Sequence, residues 1–177
     1  ERLREAGFDV ATVSVGSTPT ALFADDLSGV SELRAGVYTL FDMDQQSRGV
    51  CDIDDIAVSV LASVIGQNKA AGKILLDAGG LALSKDRSAD RFRPEVHFGA
   101  LAAAEDATPL DNLFVTSVSQ EHGHVVVSDD AAYDSLPVAG KVRVLPVHAC
   151  MTAAAYGKYY VVDGDEVIDQ WDRVNGW

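Results

Sequence analysis

The sequence has few cysteines, few basic residues and no long hydrophobic run. Its two cysteines, Cys51 and Cys150, are too few for a disulfide scaffold, so we expect both to be reduced in a cytoplasmic protein. The 14 Lys and Arg residues are outnumbered by 27 Asp and Glu residues, and they form no basic cluster. That balance argues against a nucleic-acid partner and against binding to an anionic membrane surface. No apolar stretch is long enough to span a bilayer.

What is present fits one globular domain with a real core. The chain has 177 residues, of which 47% are hydrophobic. Residues 1–6 predict the last turns of a helix, and Gly7 is suited to end it. The same residues are charged and do not resemble a signal peptide. Because no Met precedes them, we interpret the chain as part of a longer polypeptide.

Near the start, a short apolar segment precedes a loop of small polar residues. Residues 10–15 predict a buried strand, and residues 20–24 predict one helical turn. Between them, Gly16 would let the backbone approach an anion, while Ser17 and Thr18 offer hydroxyl and N–H groups to a phosphate. The same loop also fits a plain turn with a proline at the first helical position. Helix, strand and loop in this order indicate the end of a β/α unit.

From residue 33 onward, short apolar runs separated by turns predict a mainly β fold of the α+β class, an antiparallel barrel or sandwich. Asp163 and Gly164 between two apolar runs predict a hairpin. We expect residues 85–95 to form a surface loop, and residues 100–112 to form a loop or one short helix. The predicted strands are residues 37–41, 57–65, 73–77, 114–118, 124–127, 141–146, 159–162 and 166–170.

Near the other end, His148 and Cys150 follow a predicted strand that ends in Pro146. On an extended segment, side chains at i and i+2 share a face with Cα atoms about 6–7 Å apart. Nitrogen and thiolate ligands suit zinc, and further ligands would come from elsewhere in the protein, from water or from substrate. The alternative is a core histidine beside a small buried cysteine. An anion loop and a metal pair together suggest one composite active site.

Tyr38 and the pair His122 and His124 leave alternatives open, whereas Asp77 and Lys85 each have one interpretation. Tyr38 could donate a hydrogen bond to a phosphate or lie in a core. His122 and His124 could belong to a second metal motif or an acid/base pair, or to a solvated strand–turn edge. Asp77 could accept hydrogen bonds within a glycine turn, and Lys85 has the polar neighbours of a solvated lysine.

Five segments follow one another along the chain: residues 15–20, residues 33–38 with Asp42, residues 77–79, residues 121–123 and residues 146–150. In this order they resemble the D-serine dehydratase and D-threonine aldolase-like family. These proteins are pyridoxal phosphate enzymes of the alanine-racemase fold group. The end of the chain, residues 159–171, fits the same pattern.

The resemblance implies an N-terminal α/β barrel that holds the cofactor on a lysine, and a C-terminal β domain that closes the site. Residues 1–28 would be the remnant of that truncated TIM-type barrel, and residues 29–177 the D-serine dehydratase-like β domain. By the same resemblance, His148 and Cys150 would bind zinc beside the β-hydroxyl of the substrate. The residues near the cofactor would be Gly16, Ser17 and Thr18 at its phosphate, and Tyr38.

The activity implied by the resemblance is dehydration of D-3-hydroxy amino acids, such as D-serine to pyruvate and ammonia, by a zinc-dependent lyase. Cys150 favours dehydration because the aldolase branch carries a carboxylate there, while Val147 departs from the asparagine common in the family. No lysine of this chain lies in the context of the cofactor lysine, so the chain alone is expected to be inactive. Its expected partners are the missing N-terminal barrel, a D-amino acid and a second copy in a homodimer. Retro-aldol cleavage, racemisation and a non-catalytic β domain are the alternatives.

Overall fold

A computed structural model describes residues 1–174 and divides the chain into two compact units, Glu1–Thr39 and Leu40–Trp177. The predicted boundary after residue 28 stays a prediction. The helices are α1 (Arg2–Glu5), α2 (Thr18–Phe23), α3 (Met43–Ser47), α4 (Gly80–Leu83), α5 (Ala131–Ser135) and α6 (Ala149–Ala153). The strands are β1 (Ser14–Val15), β2 (Glu32–Leu33), β3 (Val60–Asn68), β4 (Lys73–Leu76), β5 (Gly99–Ala103), β6 (Pro109–Val118), β7 (Gly123–Val126), β8 (Lys141–Pro146), β9 (Lys158–Asp163) and β10 (Glu166–Asp172).

The first unit contains α1, β1, α2 and β2, and β1 pairs in parallel with β2. The predicted opening helix is confirmed, and Gly7 follows it with φ 86°. The strand predicted over residues 10–15 is wrong in length and burial, because only Ser14 and Val15 pair and neither is buried. A parallel strand becomes buried only when elements cover both faces of its sheet. Within residues 1–174, β1 pairs with β2 alone.

The strand predicted over residues 37–41 is also wrong. Residues Val37–Thr39 form a short 3₁₀ helix, and Phe41 has φ 49°. That left-handed conformation lies outside the range of any β-strand. The branched and aromatic side chains of residues 37–41 have strand propensity, but the tertiary context overrides that propensity here.

The second unit is built on a closed barrel whose strand order is β3-β4-β7-β6-β5-β8, with every pairing antiparallel. The mainly β prediction is therefore confirmed, and the architecture is a barrel. Strands β9 and β10 form a separate two-stranded hairpin that turns at Gly164, whose φ is 62°. That hairpin was predicted from the Asp-Gly pair.

Strands β5 and β8 are buried on both faces because two hydrophobic clusters use their alternate residues. Leu101 and Val144 point into the barrel interior. Ala100 and Leu145 belong to a second cluster, with Met43 of α3, outside the barrel wall. Val147, the residue before His148, belongs to the same second cluster.

The loop prediction for residues 100–112 is wrong for a reason of packing, whereas residues 85–95 lie at the surface as predicted, with Ala89 alone buried among them. Residues 100–112 contain most of β5 and the start of β6, since small alanines are needed where the barrel wall packs against α3. Residues 85–95 include two short 3₁₀ helices, and Ala89 within them is completely buried. Alanine has low strand propensity and occurs both in cores and on surfaces, so the sequence pattern does not predict that these alanines are buried.

Gly79 provides a test of the close approach between two barrel loops. A Cβ atom at Gly79 would lie 2.3 Å from the backbone nitrogen of His122. We expect Gly79→Ala to lower the free energy of unfolding by about 2–3 kcal/mol, because backbone must move to admit the methyl group. Gly66→Ala is the matched control, since its nearest neighbour would be the Leu75 Cβ at 3.9 Å. Equal urea midpoints for the two variants would contradict the described packing.

No helix in the described part of the chain combines the length and the apolar character needed to cross a membrane.

Candidate metal and cofactor sites

His148 and Cys150 lie at the junction between β8 and α6. The strand ends at Pro146, His148 is the extended residue that precedes α6, and Cys150 is the second residue of that helix. The predicted extended segment is therefore wrong, and the shared face expected from strand geometry is lost with it. His148 is half-buried and Cys150 is exposed, so the alternative of a core histidine beside a buried cysteine is also wrong.

Asp42 holds the backbone of this junction. Its side chain is buried, and its Oδ1 accepts a hydrogen bond from the backbone N–H of Gln45 at 3.0 Å as the N-cap of α3. Its Oδ2 accepts from the N–H of Ala149 at 2.9 Å, the first residue of α6. In addition, the N–H of Asp44 donates to the carbonyl of Val147 at 3.1 Å. The Asp42 carboxylate thus accepts hydrogen bonds at the starts of both α3 and α6. Through α6 it fixes the turn formed by residues 147–149, here called the His148 turn.

Asp86 orients the imidazole of His148. Its Oδ2 is in hydrogen-bond contact with the Nδ1 of His148. Between an ionised carboxylate and a neutral ring, this contact would place the proton on Nδ1 and leave the lone pair of Nε2 to a metal. Asp86 is not among the residues that the sequence pattern points to, because it falls in a charged segment predicted to be a surface loop. The two residues are 62 positions apart, and no spacing rule connects them.

The two thiols differ in their surroundings. Burial, with negative charge from Asp55, Asp42 and Asp52, raises the pKa of Cys51 to about 11. Partial desolvation and the charge of Asp42 also raise the pKa of the Cys150 thiol. A bound cation reverses that effect, because a coordinating thiol is deprotonated. Asp42 also interacts electrostatically with His148, so one buried charge acts on both candidate ligands.

The donor set at this junction fits zinc. An imidazole nitrogen oriented by a carboxylate and an accessible thiol are ligands that zinc prefers. Within residues 1–174, no group of three or more His, Cys, Asp and Glu side chains is placed to hold a metal.

The candidate anion loop lies in the first unit, where α2 begins. Ser17 caps α2, accepting at Oγ from the N–H of Thr20 at 3.1 Å. Thr18 is buried, and its Oγ1 lacks a hydrogen-bond partner among the described residues. An unsatisfied buried hydroxyl is costly unless it has a further partner, so Thr18 fits a residue that binds an anionic group. A Cβ at Gly16 would lie 2.5 Å from the carbonyl oxygen of Arg34, so this glycine permits close backbone packing.

The remaining candidates are placed as follows. Tyr38 is 55% exposed on the 3₁₀ helix Val37–Thr39, which makes its core alternative wrong. His122 is exposed in the turn between β6 and β7, and the Nε2 of His124 is 3.2 Å from the Oγ of Ser119. This arrangement is the strand–turn edge that the sequence allowed. Asp77, which directly follows β4, accepts at Oδ1 from the backbone N–H of Ser63 in the neighbouring strand β3 at 2.6 Å.

Comparison with curated proteins gives three informative relatives. The chain is 40% identical to the D-threo-3-hydroxyaspartate dehydratase of Delftia sp. (strain HT23), over 100% of this chain and 47% of the relative. It is 33% identical to the D-serine dehydratase of Dictyostelium discoideum, over 100% of this chain and 46% of the relative. A D-threonine aldolase of Arthrobacter sp. is 30% identical over 96% of this chain and 41% of the relative. The chain therefore spans about half the length of these relatives.

Two solved structures share the fold. An Ala racemase-like protein from Idiomarina loihiensis has a TM-score of 0.86 and 43% identity, over 99% of this chain and 47% of that protein. A cysteine-to-alanine variant of D-threo-3-hydroxyaspartate dehydratase, in its metal-free form, has a TM-score of 0.84 and 39% identity over the same shares. Residues 57–162 also match the family described as "Putative serine dehydratase domain". With that match covering more than half of the chain, the protein belongs to the serine dehydratase domain family.

Proposed function

We propose that the chain is the C-terminal part of a pyridoxal phosphate- and zinc-dependent lyase that dehydrates D-3-hydroxy amino acids. The family membership and the two dehydratase relatives support a lyase. Because the chain spans about half of those relatives, the proposal includes an N-terminal α/β barrel that carries the cofactor lysine. It also includes residues 1–28 as the end of that barrel, a cytoplasmic location and a homodimer.

In this proposal, His148 and Cys150 hold the zinc ion. The observation that carries the metal assignment is the contact between Asp86 and the Nδ1 of His148, which leaves Nε2 as the donor atom. A solved structure similar to this chain is a cysteine-to-alanine variant of a dehydratase, described as a metal-free form, and it agrees with this proposal. Asp42 keeps the turn in place through the N–H of Ala149.

The cofactor phosphate is assigned to the loop before α2. The unpartnered hydroxyl of Thr18 would donate to the phosphate, and Gly16 and Ser17 would contribute the backbone beside it. Tyr38, exposed on its 3₁₀ helix, would present its phenol to the cofactor. When bound, zinc would act as a Lewis acid on the β-hydroxyl, and the cofactor ring would accept electrons from the α-carbon.

A retro-aldol lyase is the second candidate, because a D-threonine aldolase is 30% identical over 96% of this chain. The same reaction partners would be bound, but a different bond of the substrate would break. The dehydratase has the greater support, since its relatives are more similar and this chain has Cys150 in the metal loop.

The test is to express the complete coding sequence and assay the purified protein with D-serine, D-threo-3-hydroxyaspartate and D-threonine. A keto acid and ammonia in equal amounts are the expected products. Glycine with an aldehyde would establish the aldolase instead, and the L-enantiomer would establish a racemase. No turnover of any substrate, with cofactor and zinc present, would favour the non-catalytic β domain. The 177-residue chain alone is the negative control.

A further inference from the structure

The segment that carries Asp86 is tied to α6 and its flanks at three places. Besides the Asp86 contact to His148, the Oγ1 of Thr152 donates to the carbonyl of Leu83 at 3.0 Å. The hydroxyl of Tyr156 donates to the carbonyl of Ala82 at 3.1 Å. Thr152 is buried. Burial raises the pKa of the Tyr156 phenol, so that hydroxyl keeps its proton and donates. These contacts hold residues 82–86 in a fixed position beside the helix that carries Cys150.

The backbone of this segment adopts a conformation that costs energy. Ser84 has φ 71° and ψ 178°, a region that residues other than glycine rarely adopt. Its Oγ accepts a hydrogen bond from the N–H of Asp86 at 3.2 Å. This bond links the strained residue directly to the backbone of Asp86. A strained turn persists only when its surroundings fix it, and here those surroundings are the contacts to Thr152 and Tyr156.

We propose that Asp86 is a positioning residue that holds His148 in the tautomer with Nδ1 protonated and aims Nε2 at the metal. The inference rests on the proposed function, because it concerns the same metal site. Asp86 does not need to touch metal or substrate to act. Its carboxylate accepts a hydrogen bond from Nδ1–H, which fixes both the rotation of the ring and the identity of the metal-binding nitrogen.

The inference predicts how two substitutions at one position will differ. Asp86→Ala removes the acceptor, so the ring can rotate and either nitrogen can carry the proton. Asp86→Asn keeps an amide oxygen that accepts from Nδ1, so it should restore most of the lost metal affinity. For loss of an outer-shell partner of this kind, we expect zinc affinity to fall about 10–100-fold in Asp86→Ala. A merely structural role would not be rescued in this way.

The experiment uses the complete protein, with zinc affinity measured by competition against a chromophoric chelator and site geometry followed by the absorption of bound cobalt. Asp106→Asn is the control, because it removes an exposed carboxylate that accepts from the N–H of Thr108. Long-range ¹H–¹⁵N spectra of metal-free wild-type protein labelled at histidine provide a measurement that needs no folded Asp86 variant. His148→Gln identifies the His148 signals.

The expected results are a weakened and spectrally altered cobalt site in Asp86→Ala, near wild-type behaviour in Asp86→Asn and Asp106→Asn, and Nδ1–H in the labelled wild type. Unchanged zinc affinity in Asp86→Ala, or a proton on Nε2 of His148 in the wild type, would overturn the inference and leave the proposed function standing. If His148→Gln itself bound zinc as tightly as wild type, both the inference and the metal assignment would be overturned.

Discussion

Replacing Cys150 with alanine in the complete protein is expected to remove most of the bound zinc and to reduce dehydration about 1,000-fold. The physical reason is the loss of the Lewis acid that stabilises the leaving hydroxyl. A 1,000-fold loss of rate corresponds to about 4 kcal/mol of lost transition-state stabilisation. The absorbance of the bound pyridoxal phosphate should be retained, because the cofactor is assigned to residues of the other unit. Metal analysis of the purified variant and initial rates with D-serine provide the measurement.

The chain offers its own control for this experiment. Cys51→Ser removes the other free cysteine, which is not assigned to the metal. We expect that variant to keep both zinc and activity. If Cys150→Ala retained wild-type activity, or if Cys51→Ser lost zinc as well, Cys150 would not have the role assigned to it.

Replacing Asp42 with alanine is expected to lower the free energy of unfolding by about 3 kcal/mol, since hydrogen bonds to a charged group each contribute about 1.5–3 kcal/mol. The substitution leaves the N–H groups of Gln45 and Ala149 without their acceptor at two helix starts. The interior position prevents water from replacing the carboxylate easily, because Asp42 is 1% exposed. Urea unfolding followed by circular dichroism gives the value.

Asp42→Asn separates the two roles of the carboxylate. Its amide oxygen keeps one of the two acceptors, so we expect about half of the destabilisation seen with alanine. A loss below about 1 kcal/mol for Asp42→Ala would mean that other groups hold the His148 turn. In that case the junction of β8 and α6 would depend on the hydrophobic cluster around Met43 instead.

The sequence predicted the barrel strands that alternate or run apolar, because their pattern follows directly from burial on one or both faces. It missed β5, whose alanines pack where the wall meets α3, and it mistook residues 37–41 for a strand. The N-cap at Asp42 left a usable signal, since Gln45 stands three residues later in the pattern of a capping box. The second bond of Asp42 spans 107 residues and left none.

The segment of residues 146–150 carries two competing sequence signals. The spacing of His148 and Cys150 predicts an extended pair, whereas the Ala and Met residues among residues 149–153 favour the helix that is present. The metal-site hypothesis depended on the residue types, His and Cys, and the placement of these residues at the junction of β8 and α6 is visible only in the structure. Asp86 could not be found from spacing, because its contact depends on a loop tied to α6 through Thr152.

In the proposed site, His148 and Cys150 bind the same cation. X-ray absorption at the zinc edge of the complete, zinc-loaded protein tests it most directly. We predict one sulfur neighbour at about 2.3 Å and a nitrogen neighbour at about 2.0–2.1 Å, with the sulfur lost in Cys150→Ala. A zinc shell of nitrogen and oxygen alone, identical in wild type and Cys150→Ala, would contradict the claim.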